Sequence, residues 1–371
     1  MVGARGDSAR FADEIGWNMQ KRWKKVALGL AVAFSILSTF GCVQERTQDL
    51  TLYVPDGAPA MAFAPMMERD SAADGVEYRV VAPNLIASKV TYKAEEKNAD
   101  LCVLPVTAAA KLLGDGTRYV CLGVVTSGNL YILSKDEELA AALEQSAYRD
   151  ISYLTGKTVG VMKINDMPGL TFKWVVNAYG EKWQEIGNDG TMSATKINLK
   201  AIADATAIDP TDTNITAYLV AEPAASVQVQ KNGFRIVCSL ETLYHQGETL
   251  AETEYQGYPQ AVLVAKKTVV DSKKAWLDGF LNDLAESTKQ VNGAWATGEK
   301  IVSAVQTHRE DLAYVSTLKA GVLTAETIAR CKIGFVENAK SKTAVQAYLE
   351  RIVAMNVSAT RTVGDEFFYI G

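Results

Sequence analysis

The chain has 371 residues, of which 48% are hydrophobic and 22% charged, and its formal net charge is -5. This composition excludes a disordered chain, and the length exceeds what one ordinary domain needs, so two domains are expected. The acidic balance argues against nucleic acid as a partner, because phosphate recognition needs a concentrated basic face and none follows the first segment.

The amino-terminal segment has the pattern of an export signal. A basic cluster at residues 21–25 precedes an uncharged, mostly apolar run at residues 26–40, which ends at Gly41 and Cys42. That order is typical of a secretory signal peptide, and the run is shorter than a typical membrane-spanning helix. Acidic residues ahead of Met19 do not suit an export signal, so we expect translation to start at Met19.

The cysteine after Gly41 resembles the cleavage site of bacterial lipoproteins. The resemblance implies that residues 1–42 are a signal peptide in which Cys42 becomes the lipidated (palmitate-bearing) first residue, followed by a linker at residues 43–49. Thr39 and Phe40 differ from the leucine and the small residue usual at such sites, and an uncleaved anchor helix is the alternative. Either way, the body is expected on the extracytoplasmic face of the cell membrane, periplasmic or at the cell surface.

From residue 50 onwards, strand and helix patterns alternate, which predicts mostly parallel, doubly wound sheets. The strands expected in a first sheet are residues 50–54, 76–82, 101–104 and 119–125. An apolar strand at residues 128–134 leads out to a second sheet, formed by residues 158–162, 196–199, 217–220 and 234–238. A strand at residues 258–265 leads back, and the remainder predicts helices only, at residues 272–291, 300–306, 310–319, 325–332 and 342–355.

Two passages of the chain repeat one pattern. Residues 100–121 and residues 217–238 each contain a buried apolar strand, a proline at its carboxyl end, a helix that opens on small residues and a second strand. The start of each half also carries a proline where the first helical turn begins, at Pro59 and Pro168, a favoured place for that residue. Two repeats in the same order predict two similar α/β lobes, with a ligand-binding cleft between them.

The order of these elements makes the first lobe discontinuous. We assign residues 50–132 and 262–371 to lobe I and residues 133–261 to lobe II. The chain is expected to cross between the lobes at residues 128–136 and 257–266. A two-strand crossover makes a hinge, because a few backbone dihedral angles suffice to close the lobes.

The cysteines and histidines carry no sign of a metal or cofactor site. Cys102, Cys121 and Cys238 lie in apolar strand patterns, where a thiol behaves as a small hydrophobe. His245 and His308 are far apart and lack the spacing of metal ligands. Buried thiols without a disulfide are therefore expected, with neither metal nor cofactor.

The candidate ligand-binding residues lie in loops beyond the carboxyl ends of the strands, where ligands bind in open parallel sheets. Helix amino termini there offer unpaired N–H groups, and small residues allow close approach to a ligand. The candidates are Asp56, Gly57, Ala58, Val106, Thr107, Gly128, Asn129, Lys163, Asn165 and Glu222.

Each candidate also has a structural explanation. Gly57 can be a turn residue, Asn129 can cap local backbone, and Lys163 can be solvated. Glu222 can hold an amine, make an interlobe hydrogen bond or cap the helix after Pro223. The candidate loops contain one lysine and no pair of arginines, which argues against a doubly charged anion as the ligand. A small polar or zwitterionic organic molecule is favoured, and a neutral heterocycle is the alternative.

Several segments resemble the solute-binding lipoproteins of ABC importers of the nitrate/sulfonate/taurine type, a group that includes binders of thiamine-related pyrimidines. They are residues 55–60 (PDGAPA), 99–105 (ADLCVLP), 126–131 (TSGNLY), 221–224 (AEPA) and 258–262 (YPQAV). The resemblance spans about residues 50–371. It implies a class II periplasmic-binding-protein fold, with two doubly wound α/β lobes joined by two crossover strands and a helical carboxyl-terminal part.

By the same resemblance, the protein is a monomer and not an enzyme. The resemblance implies that it captures a small-molecule solute and docks on an ABC permease with its ATPase. A tethered sensor that presents its ligand-bound form to a receptor is the alternative. The fungal thiamine-pyrimidine synthases share the fold, but their cysteine-rich motif is absent here and neither His245 nor His308 lies in a predicted cleft loop.

Overall fold

The computed structural model describes residues 50–69, 75–145, 150–246, 255 and 257–371. The predicted export signal, the lipidation site at Cys42 and the linker lie outside these residues. Within the described part of the chain, no helix combines the length and the apolar character that crossing a bilayer requires.

The first sheet contains six strands: β1 Leu50–Pro55, β2 Val76–Val81, β3 Leu101–Pro105, β4 Tyr119–Ser127, β11 Pro259–Lys266 and β12 Ile333–Glu337. Their spatial order is β12-β4-β11-β3-β1-β2. β1, β2 and β3 are parallel, whereas β11 is antiparallel to both of its neighbours. β1 and β3 are buried along most of their length, as expected for strands with helices on both faces.

The second sheet also contains six strands: β5 Leu130–Ser134, β6 Thr158–Met162, β7 Trp183–Glu185, β8 Ile197–Ile202, β9 Ala217–Ala221 and β10 Arg235–Ser239. Their spatial order is β10-β5-β9-β6-β8-β7. β6 to β9 are parallel, and β5 is antiparallel to β9 and β10. We call the first sheet with residues 50–127 and 259–371 lobe I, and the second sheet with residues 130–246 lobe II.

Twelve α-helices connect the strands: α1 Ala58–Met61, α2 Ala64–Glu68, α3 Val106–Leu113, α4 Glu137–Gln145, α5 Met167–Ala178, α6 Ala224–Asn232, α7 Leu240–Gln246, α8 Lys267–Ser272, α9 Lys274–Val291, α10 Gly298–Gln306, α11 Ala325–Arg330 and α12 Asn338–Met355, all within the described residues. Short 3₁₀ turns add Ile86–Val90, Glu95–Lys97, Ile151–Leu154, Ala205–Ala207 and Asp365–Phe367. The α/β fold class with a helical carboxyl-terminal part is therefore confirmed.

The predicted repeat is present in both lobes. In the first copy β3 leads through α3 to β4, and in the second β9 leads through α6 to β10. A crossover strand stands between the two strands of each copy, because the sheet orders contain β3-β11-β4 and β9-β5-β10. Each sheet thus contains one antiparallel crossover strand between the two strands of its copy of the repeat. The chain passes from β4 to β5 through Gly128 and Asn129.

Three regions differ from the sequence-based expectation. The second sheet has an additional edge strand, β7, which the sequence pattern did not predict. The tail predicted as helices only contains β12, which pairs antiparallel with β4 at the edge of the first sheet. Residues 310–319 do not form a helix, because side chains satisfy the backbone donors there: Asp311 accepts from the amide of Ala313 at 2.7 Å, and Ser316 accepts from the amide of Leu318 at 3.1 Å. Such local side-chain bonds compete with helical ones.

The predicted cysteine state agrees with the structure, since Cys102, Cys121, Cys238 and Cys331 are all buried thiols. Burial raises the pKa of the Cys121 thiol to about 12, because desolvation disfavours the thiolate. A thiol held in this neutral form serves packing, as expected from its apolar strand.

Candidate functional site

A cavity of about 600 Å³ lies between the two lobes. Its walls include the last residues of four parallel strands: Pro55 of β1, Pro105 of β3, Met162 of β6 and Ala221 of β9. The helices that follow these strands begin at the same edge, so helix amino termini from both lobes face the cavity. This is the place where open α/β sheets bind ligands.

Most of the predicted ligand-binding residues line the cavity: Asp56, Gly57, Ala58, Thr107, Asn129, Lys163 and Glu222. The remaining three lie elsewhere. Val106 is fully buried in the hydrophobic core. Asn165 is exposed, and its Oδ1 accepts a hydrogen bond from Nζ of Lys173 at 3.1 Å.

Gly128 is explained by packing and not by ligand approach. A Cβ atom at this position would lie 2.4 Å from Cε1 of Tyr258, and Tyr258 is fully buried. The tyrosine ring therefore occupies the space that glycine leaves open. Gly128 lies in the connection from β4 to β5. The absence of a side chain there lets this connection lie against the ring of Tyr258, which directly precedes β11.

Asp56 fixes a loop at the wall of lobe I. Its Oδ1 accepts from Oγ of Ser316 at 2.9 Å and its Oδ2 from the amide of Thr317 at 3.2 Å. Burial raises the pKa of the Asp56 carboxyl, although these two hydrogen bonds and the charges of Arg309 and Lys319 act in the opposite direction. Asp56 is therefore bound within the protein, and its carboxylate anchors residues 316–317 beside the cavity.

Gly57 has a backbone conformation that only glycine adopts readily. Its φ is 109°, and it immediately precedes α1. A Cβ there would meet only Oγ1 of Thr317, at an ordinary 3.6 Å, so backbone conformation and not space requires glycine.

Two residues of the cavity wall each have a buried side-chain oxygen without a hydrogen-bond partner. These oxygens are Oγ1 of Thr126 and Oδ1 of Asn129, and the two residues are 1% and 2% exposed. The backbone groups of Asn129 are already hydrogen-bonded. Its backbone N–H donates to Oε1 of Gln260 at 3.0 Å, and its backbone carbonyl accepts from the backbone N–H of Glu222 at 3.0 Å. A buried acceptor without a partner costs free energy, and a bound molecule that donates a hydrogen bond would remove that cost.

Glu222 is both a helix cap and an interlobe contact. Its Oε2 accepts from the amide of Ser226 at 2.9 Å, in the first turn of α6. Its Oε1 accepts from Oγ of Ser226 at 2.8 Å and from Nε of Arg330 at 2.7 Å. Burial lowers the pKa of Arg330, but the hydrogen bond and charge of Glu222, together with the charges of Glu326 and Tyr131, give a net upward shift.

The other charged groups on the cavity wall are of both signs. Lys163 is exposed, and Asp166 lies three residues further on in the same turn. Lys111 donates to the carbonyl of Ser358 at 2.7 Å. Asp204 accepts from the amide of Thr206 at 2.7 Å, and its hydrogen bonds to Thr206 lower the pKa of its carboxyl. No arginine and no aromatic side chain of the described residues lines this cavity.

Besides the one-turn helix α1, two longer helices present amino termini without a side-chain cap to the cavity. α3 begins after Pro105 and α5 after Asp166, and neither has a side-chain cap bond. Thr107 and Met167 of their first turns line the wall. The free N–H groups of a first turn carry a partial positive charge that attracts anions. α6 differs because Glu222 already occupies its amino terminus.

The histidines lie away from the cavity wall. Nε2 of His245 accepts from the amide of Gly257 at 2.8 Å, and Nε2 of His308 lies 3.2 Å from the carbonyl of Met67. Among the residues that the structure covers, no cluster of three potential metal ligands occurs.

Three residues on or beside the wall were missed from the sequence. Lys111 stands one helical turn after Thr107 on α3, and that i,i+4 spacing was a usable signal. Thr126 is the last but one residue of β4 and begins the TSGNLY segment, so its place at a strand end was a usable signal. Arg330 lies 108 residues from its partner Glu222, so nothing near either residue indicated the contact.

No family model and no curated protein sequence matches the chain. Solved structures do resemble it. A crystal structure of an ABC transporter from Parabacteroides distasonis has a TM-score of 0.64 and 19% identity, and the match covers 87% of this chain and 99% of that one.

Two alkanesulfonate-binding proteins are also similar. The aliphatic sulphonate-binding protein SsuA of Escherichia coli has a TM-score of 0.56 and 13% identity, with 87% of this chain and 92% of that one covered. SsuA of Xanthomonas axonopodis pv. citri, bound to MOPS, has a TM-score of 0.54 and 14% identity, with 87% and 98% covered. The resemblance expected from the sequence is thus confirmed at the level of the fold, which is that of periplasmic binding proteins.

Proposed function

We propose that the chain is a solute-binding protein of an ABC importer, which captures a small polar organic solute between its lobes and delivers it to the permease and its ATPase. The observation that carries this proposal is the pair of buried oxygens without partners, on Thr126 and Asn129, at the wall of the interlobe cavity. The fold shared with two alkanesulfonate-binding proteins supports the same function.

The charges of the wall favour a zwitterionic solute. An anionic group can bind at the uncapped amino termini of α3 and α5 beside Lys163. An amine or amide N–H can donate to Oδ1 of Asn129. Arginine is the usual bidentate partner of phosphate, so a lysine with two helix termini suits a singly charged anion better.

The apolar part of the wall favours an aliphatic solute over a heterocycle. It consists of proline, alanine, isoleucine, leucine and methionine side chains, among them Ile86, Leu112 and Met167. Planar rings gain additional free energy by stacking on aromatic side chains, and the described wall offers aliphatic surface instead. This favours amino-sulfonates and amino-carboxylates over pyrimidines and flavins.

The topology supports capture by closure of the lobes. Two connections join the sheets, one through Gly128 and Asn129 and one before β11. Glu222 of lobe II and Arg330 of lobe I meet across the interlobe boundary at 2.7 Å. Changes of a few dihedral angles at such connections open and close a cleft.

We further propose that the protein is a monomer, held on the extracytoplasmic face of the cell membrane by lipid on Cys42. The signal-like segment ahead of Cys42 supports this location. A lipid anchor keeps a binding protein close to its permease, which raises its effective concentration there.

A thermal-shift screen of the protein from residue 43 onwards tests the function. The compounds are taurine, 3-aminopropanesulfonate, γ-aminobutyrate, MOPS, ethanesulfonate, a hydroxymethylpyrimidine, riboflavin and nitrate. A binder raises the melting temperature, and we expect the aliphatic zwitterions to give the largest rise, with the compound recovered unchanged by mass spectrometry. Chemical turnover would contradict the binding function, and a rise with riboflavin or the pyrimidine alone would contradict the aliphatic class.

A further inference from the structure

Lobe II contains a lysine whose amine is removed from water. Lys173 lies on α5, and only 3% of its side chain is exposed. Burying an ammonium group is unfavourable unless it is paired and hydrogen-bonded. An apolar side chain could fill the same place, so the contacts of this amine require an explanation.

The amine has three neighbours. Nζ lies 2.6 Å from Oε1 of Glu185, whose side chain is 40% exposed, and 4.7 Å from the ring centroid of Trp183. Its third contact is a hydrogen bond of 3.1 Å to Oδ1 of Asn165. Glu185 and Trp183 belong to the edge strand β7, whereas Asn165 belongs to the turn between β6 and α5.

That turn carries two charged residues of the cavity wall, Lys163 and Asp166. Lys163 has a positive φ of 47°, a left-handed conformation that a non-glycine residue adopts at some cost. The turn is closed by the amide of Asp166, which donates to the carbonyl of Lys163 at 2.8 Å. Strained residues of this kind persist where the surroundings fix them.

We propose that Lys173 is a positioning residue for the solute site. Its ammonium group binds Asn165 and thereby fixes the turn of residues 163–166, which presents Lys163 and Asp166 to the cavity. The role in solute binding rests on the proposed function. The fixing of the turn does not, because it can be measured in the protein without solute.

Hydrogen–deuterium exchange of the unliganded protein tests this inference. In Lys173→Met, which keeps an unbranched side chain but removes the charge and donors, the Asp166 amide should exchange at least tenfold faster while the amides of β6 keep their protection. Glu185→Gln is the matched control, because it weakens the ion pair but leaves the bond to Asn165. In Glu185→Gln, the ratio of the Asp166 amide exchange rate to that of the β6 amides should equal the ratio in the wild type.

Two variants at the exposed position 165 guard against misfolding of Lys173→Met. Asn165→Ala removes the acceptor and should reproduce the faster exchange of Asp166. Asn165→Asp keeps an acceptor for Lys173 and should retain protection. Unchanged exchange at Asp166 in Asn165→Ala would overturn the inference, as would unchanged exchange at Asp166 in a folded Lys173→Met. If no solute binds, the proposed function fails while this result stands on its own.

Discussion

Nε of Arg330 donates to Oε1 of Glu222 at 2.7 Å, and this hydrogen bond joins the two lobes. The Glu222 side chain is fully buried, whereas that of Arg330 is 22% exposed. Hydroxyl groups extend the contact, since Oγ of Ser226 and Oγ1 of Thr327 lie 3.1 Å apart across the same boundary.

Loss of the arginine should therefore destabilise the protein. Arg330→Met leaves a buried carboxylate without its ionic partner, and breaking a buried pair costs about 3–5 kcal/mol. Because Arg330 is partly exposed, we expect a fall of about 2–3 kcal/mol in the free energy of unfolding, measured by urea denaturation. The exposed pair of Lys289 and Glu286, at 3.7 Å, supplies the control.

Lys289→Met should change stability by less than about 0.5 kcal/mol, because exposed ion pairs contribute little. Equal small changes in Arg330→Met and Lys289→Met would show that the interlobe pair does not stabilise the fold.

A methyl group at Gly128 should be destabilising. Gly128→Ala places Cβ 2.4 Å from the buried ring of Tyr258, and such overpacking costs about 1–3 kcal/mol. Gly279 is the control, because it is exposed on α9 and its Cβ would meet no atom within 4 Å. Gly279→Ala should stabilise by about 0.5–1 kcal/mol. An unchanged free energy of unfolding in Gly128→Ala would show that the Tyr258 ring can move aside without cost.

Stability should depend on pH through His245. Burial lowers the pKa of His245, with Lys332 acting in the same direction and Glu241 in the opposite one. The unfolded chain therefore binds the proton more readily, and folding stability falls as the pH drops below about 6.5 towards the folded-state pKa. Protonation would also convert Nε2 from the acceptor of the Gly257 amide into a donor.

The measurement is the melting temperature between pH 7.5 and 5 for the wild type and His245→Gln. Glutamine keeps an acceptor but does not titrate, so the variant should lose less stability than the wild type over this interval. If the melting temperatures of the wild type and His245→Gln fall equally between pH 7.5 and 5, His245 is not the titrating group.

Membrane attachment should depend on Cys42. In Cys42→Ser the expected result is release of the protein from the membrane fraction, because the residue that would carry the lipid is lost. A variant that stays in the membrane fraction with residues 26–40 still present would instead support the uncleaved anchor helix.

The fold was predictable because its signals are local. Each apolar strand, its terminal proline and the helix after it lie within about twenty residues, so the repeat indicated two similar lobes. The site was predictable only in outline. The carboxyl ends of the predicted strands indicated Asp56, Thr107 and Asn129 as site residues. The role of Glu222, in contrast, depends on Arg330, which is 108 residues away. The place of β12 likewise depends on pairing with a distant strand.

A solute in the interlobe cavity is expected to donate to the unpartnered side-chain oxygens of Thr126 and Asn129. Thr126→Val is the sharpest test, because valine matches threonine in shape and lacks the hydroxyl. Calorimetric titration with the compound that gives the largest thermal shift should show at least tenfold weaker binding to Thr126→Val. The unliganded variant should melt at the same or a higher temperature, since a buried hydroxyl without a partner is removed. Equal affinity of the wild type and Thr126→Val would contradict the account.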